Sequence, residues 1–357
     1  MRGRVLVAGF ATRHVAQSAA RAGYEVCTVD HFCDQDLFWC TRDRIKFEEL
    51  EELPEAIDKM CRRHSFDFAI ATSGAEEIAF PVKLCGTPRE KIGRFLDKLE
   101  TQRFFETIAV PVPRIAAEGM YPVMAKPRRG AGGWRNAILH SAEEEQAWAS
   151  LYPDVPYLRQ EIADGIPASV CCVADGHTAR AIAVNGQILR GSGESAFGFS
   201  GSVTPFDHPL AGQMRATAEK IAAESGCVGT IGIDFVVGRD TPYAIEVNPR
   251  FQGTVDTVEM AYGCSLFGCH VDACAGRLPE IRPAGEYAAR RILFADRDMT
   301  LRADLKELAP VVSDIPWPGT FFEEDQAVVS VAGTGATCEE ALSVLDKNIS
   351  TVRQYMG

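Results

Sequence analysis

No stretch of this chain holds eighteen consecutive apolar residues, so the sequence offers no membrane span. Positive charge is scarce: 37 Lys and Arg stand against 49 Asp and Glu, a formal net charge of −12. That balance excludes a surface built for nucleic acid, although a local basic pocket can still hold phosphate. The paired CxxC spacing of a zinc site is missing from the twelve cysteines. Cys171 and Cys172 are adjacent, and Cys264, Cys269 and Cys274 are five apart, which on a helix turns each away from the last. A chain of 357 residues needs no disulfide staples, so the cysteines read as reduced, mostly buried thiols of a cytoplasmic protein. Two nucleotide signatures are also lacking. The first strand ends in AGFATR without the GxGxxG of a dinucleotide site, and no glycine loop closes on GK[ST]. The opening MRGRVLVAGFATRHV has only a short apolar run and reads as a first strand, not a signal peptide. Internal repeats and low-complexity segments are lacking too.

What is present is 46 % hydrophobic residues and 31 glycines, enough for several cores joined by tight turns. The spacing predicts an α/β protein in three parts: a small parallel-sheet, Rossmann-like domain over 1–92, a mixed α+β domain of two lobes over 93–278, and a β-rich tail with a closing helix over 279–357. In the first part, GRVLVAGF, YEVCTVDHF and FDFAIATSG alternate with helical stretches. Ligands of such sheets bind beyond the carboxyl ends of the strands, which singles out Gly9 to Arg13, Asp30 and the loop holding Ser73, Gly74 and Glu76. One long helix is expected over EKIGRFLDKLETQRFFETIAV, hairpin turns at Asp175-Gly176 and Asn185-Gly186, and one helix over 256–276.

Three clusters carry chemistry. In MAKPRRGAGGWR, Lys126 ends a strand and Gly130, Gly132 and Gly133 follow among Arg128, Arg129 and Arg135. Glycine lets backbone amides approach a phosphate and the basic groups supply charge, though a plain hairpin with basic flanks looks the same. RQEIADG, from Arg159 to Gly165, suits a connector lining a cleft or an ordinary strand and turn. Asp234 lies in the apolar run GIDFVV and Glu246 in YAIEVNP, so each carboxylate must be paired or metal-bound. A turn between them lets the two face one another, and Asn248, two on from Glu246, shares its face. Two carboxylates and an amide oxygen suit Mg²⁺, with room left for phosphate oxygens. The plainer alternative pairs a buried acid with Arg250 or Arg180.

These motifs, in this order, resemble the ATP-grasp superfamily of carboxylate–amine ligases over roughly the first 275 residues. The resemblance implies an ATP-grasp fold preceded by the small parallel-sheet domain. Lys98 and Lys126 would approach the phosphates of ATP, with Arg128 beside them and the 130–133 loop closing over them. Gln160, Glu161, Ile162 and Ala163 would form the hinge beside the adenine. Asp234, Glu246 and Asn248 would hold Mg²⁺, with Mn²⁺ as a substitute, and Lys126, Glu246, Asn248 and Arg250 would serve catalysis. Arg250 would also meet the substrate together with Ser73, Gly74 and Glu76. The implied reaction joins a small-molecule carboxylate, activated as an acylphosphate, to an amine, without nucleic acid, membrane or cysteine nucleophile, in a chain that could pair as a homodimer. Within the superfamily the resemblance extends to ligases such as the one joining tyramine to glutamate. The alternatives are an amino-acid or peptide ligase, a phosphotransferase, a non-catalytic nucleotide-binding module and an NAD-dependent dehydrogenase. One departure is plain: GIPASV after the hinge glycine lacks the acid that grips ribose in many relatives.

Overall fold

The computed structural model describes residues 2–130, 132–133, 135–191 and 196–356. The first unit holds β1 (Arg4–Gly9), α1 (Arg13–Arg21), β2 (Glu25–Asp30), α2 (Gln35–Phe38), β3 (Asp43–Lys46), α3 (Leu53–Arg63) and β4 (Phe68–Ala71). Its strands form a parallel sheet in the order β3-β2-β1-β4. Val5, Leu6, Val7 and Ala8 are all fully buried, as expected of a strand covered on both faces. The sequence reading found three of these four strands. β3, DRIK, is a short, partly exposed edge strand, and edge strands carry charge instead of an apolar run.

The expected long helix before the second unit is broken into α4 (Arg89–Ile92) and α5 (Lys98–Thr107). Asp97 is the reason: its carboxylate accepts from the Leu99 and Glu100 backbone N–H groups and caps α5. Next come β5 (Val123–Pro127), β6 (Ala137–Leu139), α6 (Ala142–Leu151) and β7 (Tyr157–Glu161). These strands make an antiparallel sheet in the order β6-β5-β7, packed on Ala116 and Trp148.

The remaining strands and helices are β8 (Ile166–Asp175), β9 (Ala179–Leu189), β10 (Phe199–Thr204), α7 (Ala211–Ser225), β11 (Val228–Val237), β12 (Pro242–Asn248), α8 (Val255–Tyr262), α9 (Leu266–Cys274), β13 (Tyr287–Phe294), β14 (Met299–Thr300), β15 (Val312–Ser313), β16 (Phe321–Phe322), β17 (Ala327–Gly335) and α10 (Cys338–Met356). Eight of the strands form one sheet, β12-β11-β8-β9-β10-β13-β17-β15. The antiparallel β10–β13 pair runs the C-terminal strands directly into it. Two expectations are corrected. The single helix over 256–276 is two, because Gly263 adopts a left-handed conformation that ends α8, and Ser265 caps α9. Asn185-Gly186 is no turn but lies inside β9. The Asn185 amide is fully buried and bonded to Ser169 and Thr204. A Cβ on Gly186 would stand 3.0 Å from the Phe206 ring, so glycine serves packing there.

A buried ion cluster ties the units together. Arg13 donates to both oxygens of Asp256, at 2.9 and 2.7 Å, and to Asp314 at 2.8 Å. Arg290 bonds Asp314 and the Gly253 carbonyl, and Asp36 accepts from the Asp314 and Ile315 backbone N–H groups at 3.0 Å. Breaking such a pair by removing one partner costs about 3–5 kcal/mol, because the other charge stays buried. Among the described residues no helix is long and apolar enough to cross a membrane.

Candidate functional site

The cleft between the three-stranded and eight-stranded sheets gathers most of the residues singled out above. On β11 and β12, Ile233, Phe235, Ala244 and Val247 turn into the core and are at most 1 % exposed. Pleating sends Asp234, Glu246 and Asn248 to the other face, half-buried. Asp234 pairs directly with Glu246, and Gly232 with Asn248, with an irregularity after Asp234 that keeps both acids on one side. Asp234 accepts from Gln187 Nε2 at 2.9 Å and from Asn248 Nδ2 at 3.1 Å. Burial pushes its carboxyl up to about 7, and the Glu246 carboxylate pushes the same way. Neither acid is in an ion pair with a described residue, and Arg180 stays on the Ala179 carbonyl. Two adjacent carboxylates lacking a bonded cation, beside an amide oxygen, are a donor set that fits a divalent ion with a preference for oxygen.

Lys126 enters from β5. Burial lowers its ammonium to about 8, opposed by the attraction of Glu246 and reinforced by Lys98. That attraction puts Lys126 within electrostatic reach of Glu246. Lys98, at the start of α5, donates from Nζ to the Gly130 carbonyl at 2.6 Å. Gly130, Gly132 and Gly133 all have positive φ, and a Cβ on Gly133 would lie 2.3 Å from the Phe197 carbonyl oxygen. Of the expected 130–133 loop, Ala131 lies outside the described residues. Arg128 is committed elsewhere: it holds the Asp97 cap with bonds of 3.1 and 2.6 Å. Arg135 lies over the Tyr152 ring at 4.5 Å.

The hinge residues divide. Gln160, paired with Met124 and so on the same face of the sheet as Lys126, is buried and donates to Gln102 at 2.8 Å. Glu161, Ile162 and Ala163 line a cavity of about 580 Å³ with Pro113, Arg239 and Tyr243. Its lining ends at Tyr243, three residues before Glu246 on the same strand, so the cavity adjoins the acids without containing them.

Arg250 closes the far side. Its Nε donates to Glu76 at 2.6 Å and its Nη2 to Asn248 Oδ1 at 3.2 Å. Glu76 also accepts from the Gly74 N–H at 2.7 Å, and the Ser73 carbonyl accepts from Phe10 N–H at 2.7 Å. The loop after β4 therefore reaches the metal-type strands, as the parallel-sheet rule suggests. Its next residue, Glu77, meets Arg129 at 3.2 Å from the glycine-loop side. At the same edge Phe10 stacks on His31 at 4.5 Å, and Phe32 packs edge-on against both.

Sequence reasoning missed Gln187, Glu77, His31 and Phe32, while Phe10 lies in the Gly9 to Arg13 stretch that it singled out. The alternation of β9 could have turned Gln187 toward one face, but nothing local says that Asp234 lies there. Phe10 and His31 follow strand ends, where the parallel-sheet rule already pointed.

Residues 95–254 match the family model described as ATP-grasp domain. The whole architecture recurs in solved structures. A variant of Rhizobium etli pyruvate carboxylase superposes with TM-score 0.78 at 14 % identity, over 97 % of this chain but 37 % of that longer one. The biotin carboxylase domain dimer of Hydrogenobacter thermophilus 2-oxoglutarate carboxylase, solved with MgADP, ADP and bicarbonate, gives 0.77 at 15 % identity over 98 % of this chain and 89 % of that one. An L-amino acid ligase from Bacillus licheniformis gives 0.72 at 15 % identity, covering 97 % of both chains. At such identities the likeness is one of fold.

Proposed function

We propose that this chain, which carries an ATP-grasp domain, is an ATP-dependent ligase that joins a small carboxylic acid to an amine. The observation that carries the reading is the pairing of Asp234 with Glu246 across β11 and β12, beside Asn248 and within electrostatic reach of Lys126. Asp234, Glu246 and Asn248 would hold Mg²⁺, which when bound neutralises phosphate charge. Gln187 and Asn248, both bonded to Asp234, fix the orientation of that carboxylate.

The protein's own groups position and neutralise. Lys126 and Lys98 offer ammonium groups to the phosphates, and a phosphate would further favour the charged form of Lys126. The cavity beside Glu161, Ile162 and Ala163 falls in the size range of small-molecule sites and would take the base and sugar of the nucleotide. Arg250, fixed by Glu76, presents its guanidinium where a substrate carboxylate would meet the γ-phosphate. Attack there gives an acylphosphate and ADP, and an amine then displaces phosphate to leave the amide. No protein nucleophile is required, only orientation and charge. The loop Ser73, Gly74 and Glu76 would bound the acid or amine.

Purified protein with MgATP and a matrix of acids and amines, including glutamate with tyramine and pairs of amino acids, tests this. ADP release that requires one acid and one amine together, with the amide seen by mass spectrometry, is the expected result. A phosphorylated product that persists points instead to a phosphotransferase, and tight ATP binding without turnover on any pair to a non-catalytic module.

A further inference from the structure

Away from the cleft, Cys85, His270 and Cys274 converge where the segment after β4 meets α9, with one ligand-type atom from each within 4.8 Å of the others. The trio looks like a metal site, but the bonds of His270 argue otherwise. Its Nδ1 accepts from the Thr230 backbone N–H at 2.9 Å. A neutral imidazole that accepts at one nitrogen carries its proton on the other, and Nε2 lies 2.9 Å from the Cys85 carbonyl, to which it donates. The ring cannot readily turn. A Cβ on Gly229 would lie 2.4 Å from it, and its face stacks on Phe251 with centroids 4.7 Å apart. A cation would therefore find two sulfurs and no free nitrogen.

What remains is a pair of unlike thiols. Contact with Cys274 holds the Cys85 thiol below its ordinary range, against burial. The same contact, together with burial, pushes Cys274 up. Cys85 is 9 % exposed and Cys274 more so. Each sits where the backbone can give: Cys85 precedes Gly86, and Cys274 is the last residue of α9, two before Gly276.

We propose that Cys85 and Cys274 form a reversible disulfide, by exchange with a low-molecular-weight disulfide, stapling the segment after β4 to the end of α9. The Cys85 thiolate attacks one sulfur of the small disulfide, whose S–S bond breaks and releases one thiolate. Cys274 then gives up its proton and attacks the Cys85 sulfur of the mixed disulfide, releasing the second small thiol. Two protein thiols are oxidised and one small disulfide is reduced to two thiols. The staple lies behind the cleft, since Phe251, against which His270 stacks, follows Arg250 in the chain.

The test equilibrates the full chain with glutathione disulfide, blocks free thiols, digests without reduction and maps the peptides by mass spectrometry. A peptide pair linked through Cys85 and Cys274 is expected, reversed by dithiothreitol, present in Cys61→Ser and absent from Cys85→Ser and Cys274→Ser. If a serine variant fails to fold, the linked wild-type peptide alone decides. Three results overturn the proposal: both thiols staying open to alkylation throughout, glutathione adducts that never resolve into the link, or a stoichiometric zinc ion in the purified protein that Cys274→Ser removes. None of these readouts depends on ATP turnover, so the ligase reading stands or falls separately.

Discussion

Glu76 and Arg250 lie 174 residues apart in the chain and share a hydrogen bond of 2.6 Å between Arg250 Nε and Glu76 Oε1. This contact joins the loop after β4 to the end of β12 and fixes the guanidinium beside Asn248. Glu76→Gln keeps a side-chain oxygen but removes the charge. The expected outcome is a rise of roughly tenfold in KM for the acid or amine, the size of one charge-assisted hydrogen bond, with ADP affinity unchanged. Steady-state kinetics beside calorimetry of ADP binding checks it. An equal loss of ADP affinity would move Glu76 out of a substrate role.

Glu246→Gln keeps the shape of β12 and removes one of the two facing carboxylates. Turnover is expected to fall by roughly 100-fold or more, as when an electrostatic group is taken from a reacting centre. The circular dichroism spectrum should not change. Activity that survives with the wild-type dependence on magnesium would refute the metal role of this strand pair.

Lys126 carries a pH signature. With its ammonium lowered to about 8 in the free protein, raising the pH through that value removes a positive charge from the cleft. ADP affinity is expected to weaken above pH 8 in the wild type, and Lys126→Arg, which stays charged, should flatten that decline. Lys126→Ala should weaken binding by roughly 10- to 100-fold at pH 7. Calorimetry across pH 7 to 9.5 reads all three proteins.

Asp256 carries another. Although burial alone would raise its carboxyl, Arg13 and Arg290 hold it down at about 2. A carboxylate depressed in the folded state contributes stability that is whole above about pH 4, where the unfolded chain is ionised, and that is lost as pH falls toward 2. Asp256→Asn is expected to cost about 3 kcal/mol at neutral pH, because Arg13 stays buried. The variant should also show a shallower acid limb in urea melts taken between pH 5 and 2. An unchanged limb would mean that the cluster does not set acid stability.

The sequence by itself determined the strands that an apolar run or a strict alternation announces. It placed Asn248 on the face of Glu246, because alternate residues of a strand share a side, and it required Asp234 and Glu246 to be either metal-bound or paired with an arginine. It did not find β3, whose residues are too polar to announce a strand, and it took Asn185-Gly186 for a turn because their local chemistry is that of one. Tertiary structure decided the rest. It alone brought Gln187 to Asp234, Glu76 to Arg250 and Lys126 within electrostatic reach of Glu246, and carried the C-terminal strands into the central sheet. The reason is physical: periodicity records which side of an element meets a core, while contacts between distant elements depend on how separately formed units pack, and no local pattern records that.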